Sequence, residues 1–152
     1  MDCISWHPNC NYILSGSSDK TVRMWSYSDG QCVRLFQGGK GAITCVSFSP
    51  DGKLAASAGE DRKVRLWDLA GGGQVSELRG HTSDLVSITW CHDSRHLVSG
   101  ASDGSVRVWD TGTAGDNVTE SVATYSVGIN SSVIGANFND TNTLLVTGVQ
   151  YS

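Results

Sequence analysis

Three stretches share one pattern. Ser15–Trp25 reads SGSSDKTVRMW, Ser57–Trp67 reads SAGEDRKVRLW and Ser99–Trp109 reads SGASDGSVRVW. Their serines, their aspartates (Asp19, Asp61, Asp103) and their tryptophans all recur every 42 residues. Upstream, Trp6, Phe48 and Trp90 keep the same step. Chance does not hold four registers through three units, and self-similarity at this period marks a repeat architecture. A partial fourth unit follows. VIGANF at 133–138 resembles LVSITW at 85–90, and Thr147-Gly148 resembles Ser99-Gly100, both at a step of 48. Six additional residues therefore fall between Asp110 and Ser132, and the polar TGTAGDNVTE at 111–120 is the place for them. The predicted units are about 1–36, 37–79, 80–124 and a partial 125–152.

Short, regular strand signals fill each unit. In the second they are Ile43–Phe48, Leu54–Ala58, Lys63–Asp68 and Gln74–Arg79. Ser49-Pro50-Asp51-Gly52, Gly59-Glu60-Asp61-Arg62 and Ala70-Gly71-Gly72-Gly73 separate them, with residues that supply turn geometry. No convincing helical period is present. Four antiparallel strands in about 42 residues, ending in Trp-Asp, predict an all-β fold built of propeller blades.

The composition narrows the function. With Gly 18 and Pro 2 in 152 residues, the chain is rich in tight turns and poor in linker signals. Lys+Arg is 11 against Asp+Glu 15, a net charge of −4. Surfaces that bind nucleic-acid phosphates are normally basic, so no direct nucleic-acid partner is expected. The apolar runs reach about six residues, far short of the roughly twenty that a membrane helix needs, so no membrane role is expected. Met1-Asp2-Cys3 opens no basic-then-apolar leader. The five cysteines (3, 10, 32, 45, 91) lack CxxC spacing and fit free thiols in a reducing compartment. His7, His81, His92 and His96 add no zinc-ligand spacing, so neither metal nor cofactor is expected. Gly38-Gly39-Lys40-Gly41-Ala42 lacks the Gly-Lys-Ser/Thr ending and following helix of a phosphate loop. Asn117, Asn130 and Asn139 open glycosylation tripeptides that we read as coincidental without a secretory leader.

Trp67-Asp68 and Trp109-Asp110 close two units, with Trp25-Ser26 as a variant, and Gly80-His81 opens the third. Gly38-Gly39 holds the equivalent place in the second, without the histidine. On these motifs the sequence resembles the WD-repeat family over nearly its whole length. The resemblance implies a hydrogen-bonded structural group of His, Ser, Asp and Trp in each blade. That group is His81, Ser99, Asp103 and Trp109 in the third unit, Ser57, Asp61 and Trp67 in the second, and Ser15, Asp19 and Trp25 in the first. The Asp is expected to cap its turn and to accept from the imidazole. The buried Trp N–H needs an acceptor. A Ser-His-Asp triad is the tempting alternative. It is disfavoured, since the Ser and Asp recur in every unit and no GxSxG turn surrounds Ser99. No enzymatic activity is therefore expected. Arg23, Arg65 and Arg107 also recur, and are read as strand residues with packed stems and hydrated charges.

Propellers of this family usually have seven blades, and this chain supplies about three and a half. The expectation is the C-terminal part of a ring, longer at its N-terminus in the native protein. Alone it would leave two open apolar faces and unpaired strand edges. The family's usual docking side is built from loops 17–20, 37–42, 59–62, 80–84 and 101–104. Ser18, Lys40, Glu60, Thr82, Asp84 and Ser102 are its candidate partner contacts, with the 111–121 insertion on the opposite side.

Four further stretches narrow the resemblance: DCISWHPNCNYILSGSSDKTVRMWS at 2–26, CVRLFQGGKGAITCVSFSPDGKLAASAGEDRKVRLWDLA at 32–70, ELRGHTSDL at 77–85 and LLVTGVQ at 144–150. They are similar to the TBP-associated factor five family, the WD-repeat subunits of TFIID and of the SAGA histone acetyltransferase complex. Trp25-Ser26 and the Leu-Leu-Val-Thr-Gly ending favour the SAGA-type branch. The resemblance implies a nuclear, non-catalytic scaffold packed against histone-fold subunits. The alternatives are a TFIID subunit, or a general WD-repeat adaptor such as a ubiquitin-ligase substrate receptor.

Overall fold

The computed structural model describes residues 3–37, 39–111, 123–126, 131–138 and 144–150, with side chains described through 111 and at 124 and 125. Residues 112–122, which hold nearly all of the expected insertion, lie outside them. Alternating side chains drive the architecture. In a strand, successive residues point to opposite faces, so a run such as Ala55-Ala56 or Leu66-Trp67 serves two neighbours at once.

The first unit forms β1 (Cys3–Trp6), β2 (Tyr12–Gly16), β3 (Thr21–Ser26) and β4 (Cys32–Gln37). The second forms β5 (Ile43–Phe48), β6 (Leu54–Gly59), β7 (Val64–Asp68) and β8 (Gln74–Leu78). The third forms β9 (Leu85–Trp90), β10 (His96–Ala101), β11 (Ser105–Asp110) and β12 (Ala123–Ser126). β13 (Ser131–Phe138) and β14 (Leu144–Gln150) pair as a two-stranded fourth sheet. Every sheet is an antiparallel meander in chain order. β1 packs beside β5, β5 beside β9 and β9 beside β13, so the first strand of each sheet lines a common axis. This all-β arrangement is part of a β-propeller.

Irregularities repeat as faithfully as the strands. The β3–β4 pair slips register between Met24 and Trp25, and β7–β8 between Leu66 and Trp67, one period on. Left-handed backbone recurs at Cys10, Gly52 and Ser94, and again at Lys20, Arg62 and Gly104. Each second set follows the repeated Asp, so the turn demands positive φ there whatever the residue. Gly104 meets that demand without strain, while Lys20 and Arg62 do so at some cost.

Two cores lie between sheets. Leu14, Val22, Met24 and Phe36 of the first sheet meet Val46, Phe48, Ala55 and Trp67 of the second. Ala56, Ala58, Val64 and Leu66, on the second sheet's other face, meet Ile88, Trp90, Leu97 and Trp109 of the third. The middle sheet is thus buried on both sides. Ile4 and Trp6 hold in β1 the register that Val46 and Phe48 hold in β5, yet they are 57% and 50% exposed. The outward face of the first sheet is therefore one open apolar face. The opposite end of the stack falls among side chains outside those described.

Candidate functional site: the turn networks and the loop face

The repeated Ser and Trp meet across each β2–β3-type hairpin. Trp25 Nε1–H donates to Ser15 Oγ at 2.9 Å, Trp67 to Ser57 at 2.9 Å and Trp109 to Ser99 at 2.8 Å. The three serines are buried, Ser99 completely.

In the third sheet the chain of bonds continues. His81 Nε2 lies 2.6 Å from Ser99 Oγ, and His81 Nδ1 lies 3.2 Å from Ser105 Oγ. The Ser105 hydroxyl donates to Asp103 Oδ1 at 2.6 Å. Burial pushes the His81 pKa down to about 4. The Arg107 charge adds to this, and Asp103 opposes it without prevailing. The ring is neutral at pH 7 and carries one N–H. Since Ser105 spends its proton on Asp103, it can only accept from His81 Nδ1–H. Nε2 must then accept the Ser99 proton. The direction is fixed throughout: Trp109 to Ser99, to His81, to Ser105, to Asp103. The sequence led us to expect Asp103 to accept from the imidazole itself. Instead a hydroxyl stands between, because Oδ1 also caps the Ser105 amide (2.9 Å) and Oδ2 accepts from Thr82 (3.3 Å).

The other sheets use simpler versions. Asp19 accepts from the Thr21 hydroxyl at 2.5 Å and its amide at 3.0 Å, which hold its carboxyl below the usual range. Asp61 accepts from the amides of Lys40 (3.3 Å) and Lys63 (3.4 Å) and from the Arg65 guanidinium. Arg65 corrects the reading of the arginine series. Its charge does not reach water: the residue is 2% exposed, clamped between Asp61 and Glu77, with Nη2 3.1 Å from Glu77 Oε1. Two carboxylates compensate the lost hydration that one alone would not. Arg23 does stay half-exposed, 3.2 Å from Asp19.

Gly39 leaves Ser57 with Trp67 as its one partner among the described residues. A Cβ built at Gly39 meets nothing closer than 3.4 Å. Gly39→His is therefore expected to accept the Ser57 proton as His81 accepts that of Ser99. The gain should be about 1 kcal/mol, or about 3 °C in Tm, read by thermal unfolding. An unchanged or lower Tm would count against this geometry.

The six candidate contact residues, Ser18, Lys40, Glu60, Thr82, Asp84 and Ser102, are all exposed and all lie in the turns at the ends where these aspartates sit. Several are tied together. Ala42 N–H donates to Glu60 Oε2 at 3.3 Å, Ser102 N–H donates to the Asp84 carbonyl at 2.9 Å, and Ser83 and Ser102 share a hydroxyl bond. Arg62 reaches Asp84 at 3.8 Å, joining the second unit to the third, and the Ile43 amide donates to the Ser17 carbonyl at 3.1 Å, joining the first to the second. Ser18, Lys40 and Thr82 thus belong to one row of turns, braced from sheet to sheet. Among the described residues, no group of three or more His, Cys, Asp or Glu is placed to hold a metal. No helix among them is long and apolar enough to cross a membrane.

The protein-family profile described as WD domain, G-beta repeat matches residues 2–26, 30–68 and 72–110. The chain belongs to this WD-repeat family. Its WD repeats are similar to those of transcription initiation factor TFIID subunit 5 from Caenorhabditis elegans, 51% identical over 43 residues, or 28% of this chain and 7% of that protein. WD repeat-containing protein 86 from Homo sapiens is 41% identical over 44 residues, covering 29% and 12%. F-box/WD repeat-containing protein 10 from Mus musculus is 50% identical over 34 residues, covering 22% and 3%. The matches span only a small part of each relative's length.

What the WD-repeat pattern did not reveal was the hydroxyl relay. Ser105 and Thr21 stand two residues after their Asp, and Asp-x-Ser/Thr was the available signal. Lys63 breaks it in the second unit, which hid it.

Proposed function

We propose that this chain is a non-catalytic assembly module of a nuclear transcription complex, docking other protein subunits on the row of turns that carries Ser18, Lys40, Glu60, Thr82, Asp84 and Ser102. One observation carries the non-catalytic reading. Ser99 has a histidine beside it, as a nucleophile would, but it is fully buried and one of its two lone pairs is already taken by Trp109. A substrate carbonyl cannot approach it. The hydrogen-bonded groups around His81, Asp61 and Asp19 then serve to hold the turns rigid, and rigid loops on a sheet scaffold suit protein recognition.

The similarity to a TFIID subunit supports a transcription complex as the setting. Within it, the Trp25-Ser26 variant and the LLVTGVQ ending favour a SAGA-type complex, with histone-fold subunits as neighbours and the acetyltransferase on another chain. A general adaptor role is the second reading, supported by the similarity to an F-box/WD repeat protein. Affinity purification of the tagged native protein from nuclear extract, followed by mass spectrometry, separates them. Acetyltransferase and adaptor subunits are the expected catch. TBP with initiation-factor subunits would move the assignment to TFIID. Recovery of ubiquitin-ligase components alone would overturn the transcription reading.

A further inference from the structure

We propose that the cleft between the first two sheets, at the end opposite the row of turns, binds a short peptide from a partner protein in which a carboxylate side chain neighbours an apolar one. The cleft measures about 410 Å³, and His7, Tyr12, Met24 and Arg34 face Gly52 and Leu69 across it. Small-ligand and peptide-anchor sites begin at about this size.

The repeat provides an internal control for what the fold itself requires here. One period on, at the next sheet junction, His7, Tyr12, Met24 and Arg34 become Ser49, Leu54, Leu66 and Ser76. Ser49, Leu66 and Ser76 are buried there, and Leu54 packs against the core. The blade-to-blade junction therefore closes with small or aliphatic residues and needs neither a cation nor a phenol. At the first junction both are present. Arg34 is exposed and donates to the Ala70 carbonyl at 2.9 Å, and it has no ion-pair partner among the described residues. Tyr12 has no hydrogen-bond partner for its hydroxyl among them. In an acidic chain whose Arg23, Arg62, Arg65, Arg79 and Arg95 all pair with carboxylates, Arg34 stands apart.

The wall is preformed. His7 is held from both sides: Nε2–H donates to the Gly52 carbonyl at 3.1 Å and Nδ1 accepts the Asn9 N–H at 3.2 Å, and the ring stands edge-on to Phe48 with ring centres 4.9 Å apart. Little ordering is left for binding to bring about, which favours affinity. The guanidinium fork matches a carboxylate in two parallel bonds. Met24 and Leu69 offer an adaptable apolar surface for the adjoining side chain. This site is separate from the row of turns and does not depend on the transcription reading.

The test is an array of ten-residue peptides that pair Asp or Glu with Leu, Ile or Val at each spacing, beside versions with Lys for every acid, probed with the full chain. The best binder, fluorescein-labelled, is then titrated by polarisation. The expected result is saturable binding that weakens at high salt, falls tenfold or more in Arg34→Gln and falls by a smaller factor in Arg34→Lys, which keeps the charge and loses the fork. Arg34→Glu should lose the acidic peptide and gain its Lys version. Arg34 is exposed, and matched circular dichroism of the variants confirms that they fold. Binding untouched by Arg34→Glu, failure of every acidic peptide, or full displacement by millimolar inorganic phosphate would each overturn the proposal.

Discussion

Trp109→Ala is expected to cost about 4 kcal/mol, a large fraction of the stability of a domain this size. Trp25→Ala should cost no more than about half of that. Both indoles donate the same bond, 2.8 Å to Ser99 and 2.9 Å to Ser15. A bond of this kind contributes about 1 kcal/mol net. The rings differ in burial: Trp109 is fully enclosed between the second and third sheets, while Trp25 lies on the open face of the first and is only partly covered. If burial and the resulting cavity dominate, the two losses separate. If the hydrogen bond dominates, they coincide. Urea unfolding followed by far-ultraviolet circular dichroism reads both, since the other tryptophans would obscure a fluorescence signal. Losses within 1 kcal/mol of each other would show that the bond, and not the packing, makes the tryptophan the fixed point of the repeat. Trp67, 4% exposed, should behave like Trp109.

This comparison also marks what the sequence could reveal. The 42-residue step located every strand of the second unit, with differences of one residue at three ends. β6 runs on through Gly59, where a Cβ would sit 1.9 Å from the Ala42 carbonyl, so that only glycine lets the sheet continue there. β7 starts at Val64 and not Lys63. β8 ends at Leu78, one residue before Arg79. The Ser–Trp pairs were legible because both partners obey the period. Features that break the period were not. Arg65 is buried because Glu77 stands opposite it in β8, but the same place in β4 is Leu35, so the arginines look alike in sequence and differ in environment. The His81–Ser105 bond and the Arg34 cleft are likewise single-unit events, although the hydroxyl-to-Asp step recurs at Thr21. A repeat reports what every unit shares, which is the scaffold. What one unit alone carries has to be found in three dimensions.

The buried histidine makes stability depend on pH in a window that can be assigned. His81 titrates near 6.5 when unfolded and is pushed down to about 4 in the fold, by burial first and by Arg107 second. Between those values the unfolded chain binds the additional proton, so stability rises with pH there. The contribution is therefore fully present above about pH 6.5 and is lost as pH falls toward 4. The shift corresponds to about 3 kcal/mol at full strength, and about 2 kcal/mol once partial solvent screening is allowed for. The carboxylates act lower down. Burial alone would raise Asp51 and Asp103, but the bonds from Ser49 and Lys53 to the one, and from Ser105 to the other, outweigh it and hold both below the ordinary 3.8. Their contributions are lost only as pH falls through those lowered values. Two separate acid phases follow, and His81→Gln is expected to remove the upper one while leaving the lower. The variant itself should be less stable at pH 7.5, since the amide meets the Ser99 and Ser105 hydroxyls less well. The diagnostic is therefore the slope and not the level: unfolding free energies from urea titrations at half-unit steps from pH 7.5 to 4 should fall by about 2 kcal/mol in the native chain and stay nearly flat in His81→Gln. An equal slope in both would mean that the proton enters elsewhere, and that the chain from Trp109 to Asp103 is not set by a neutral imidazole.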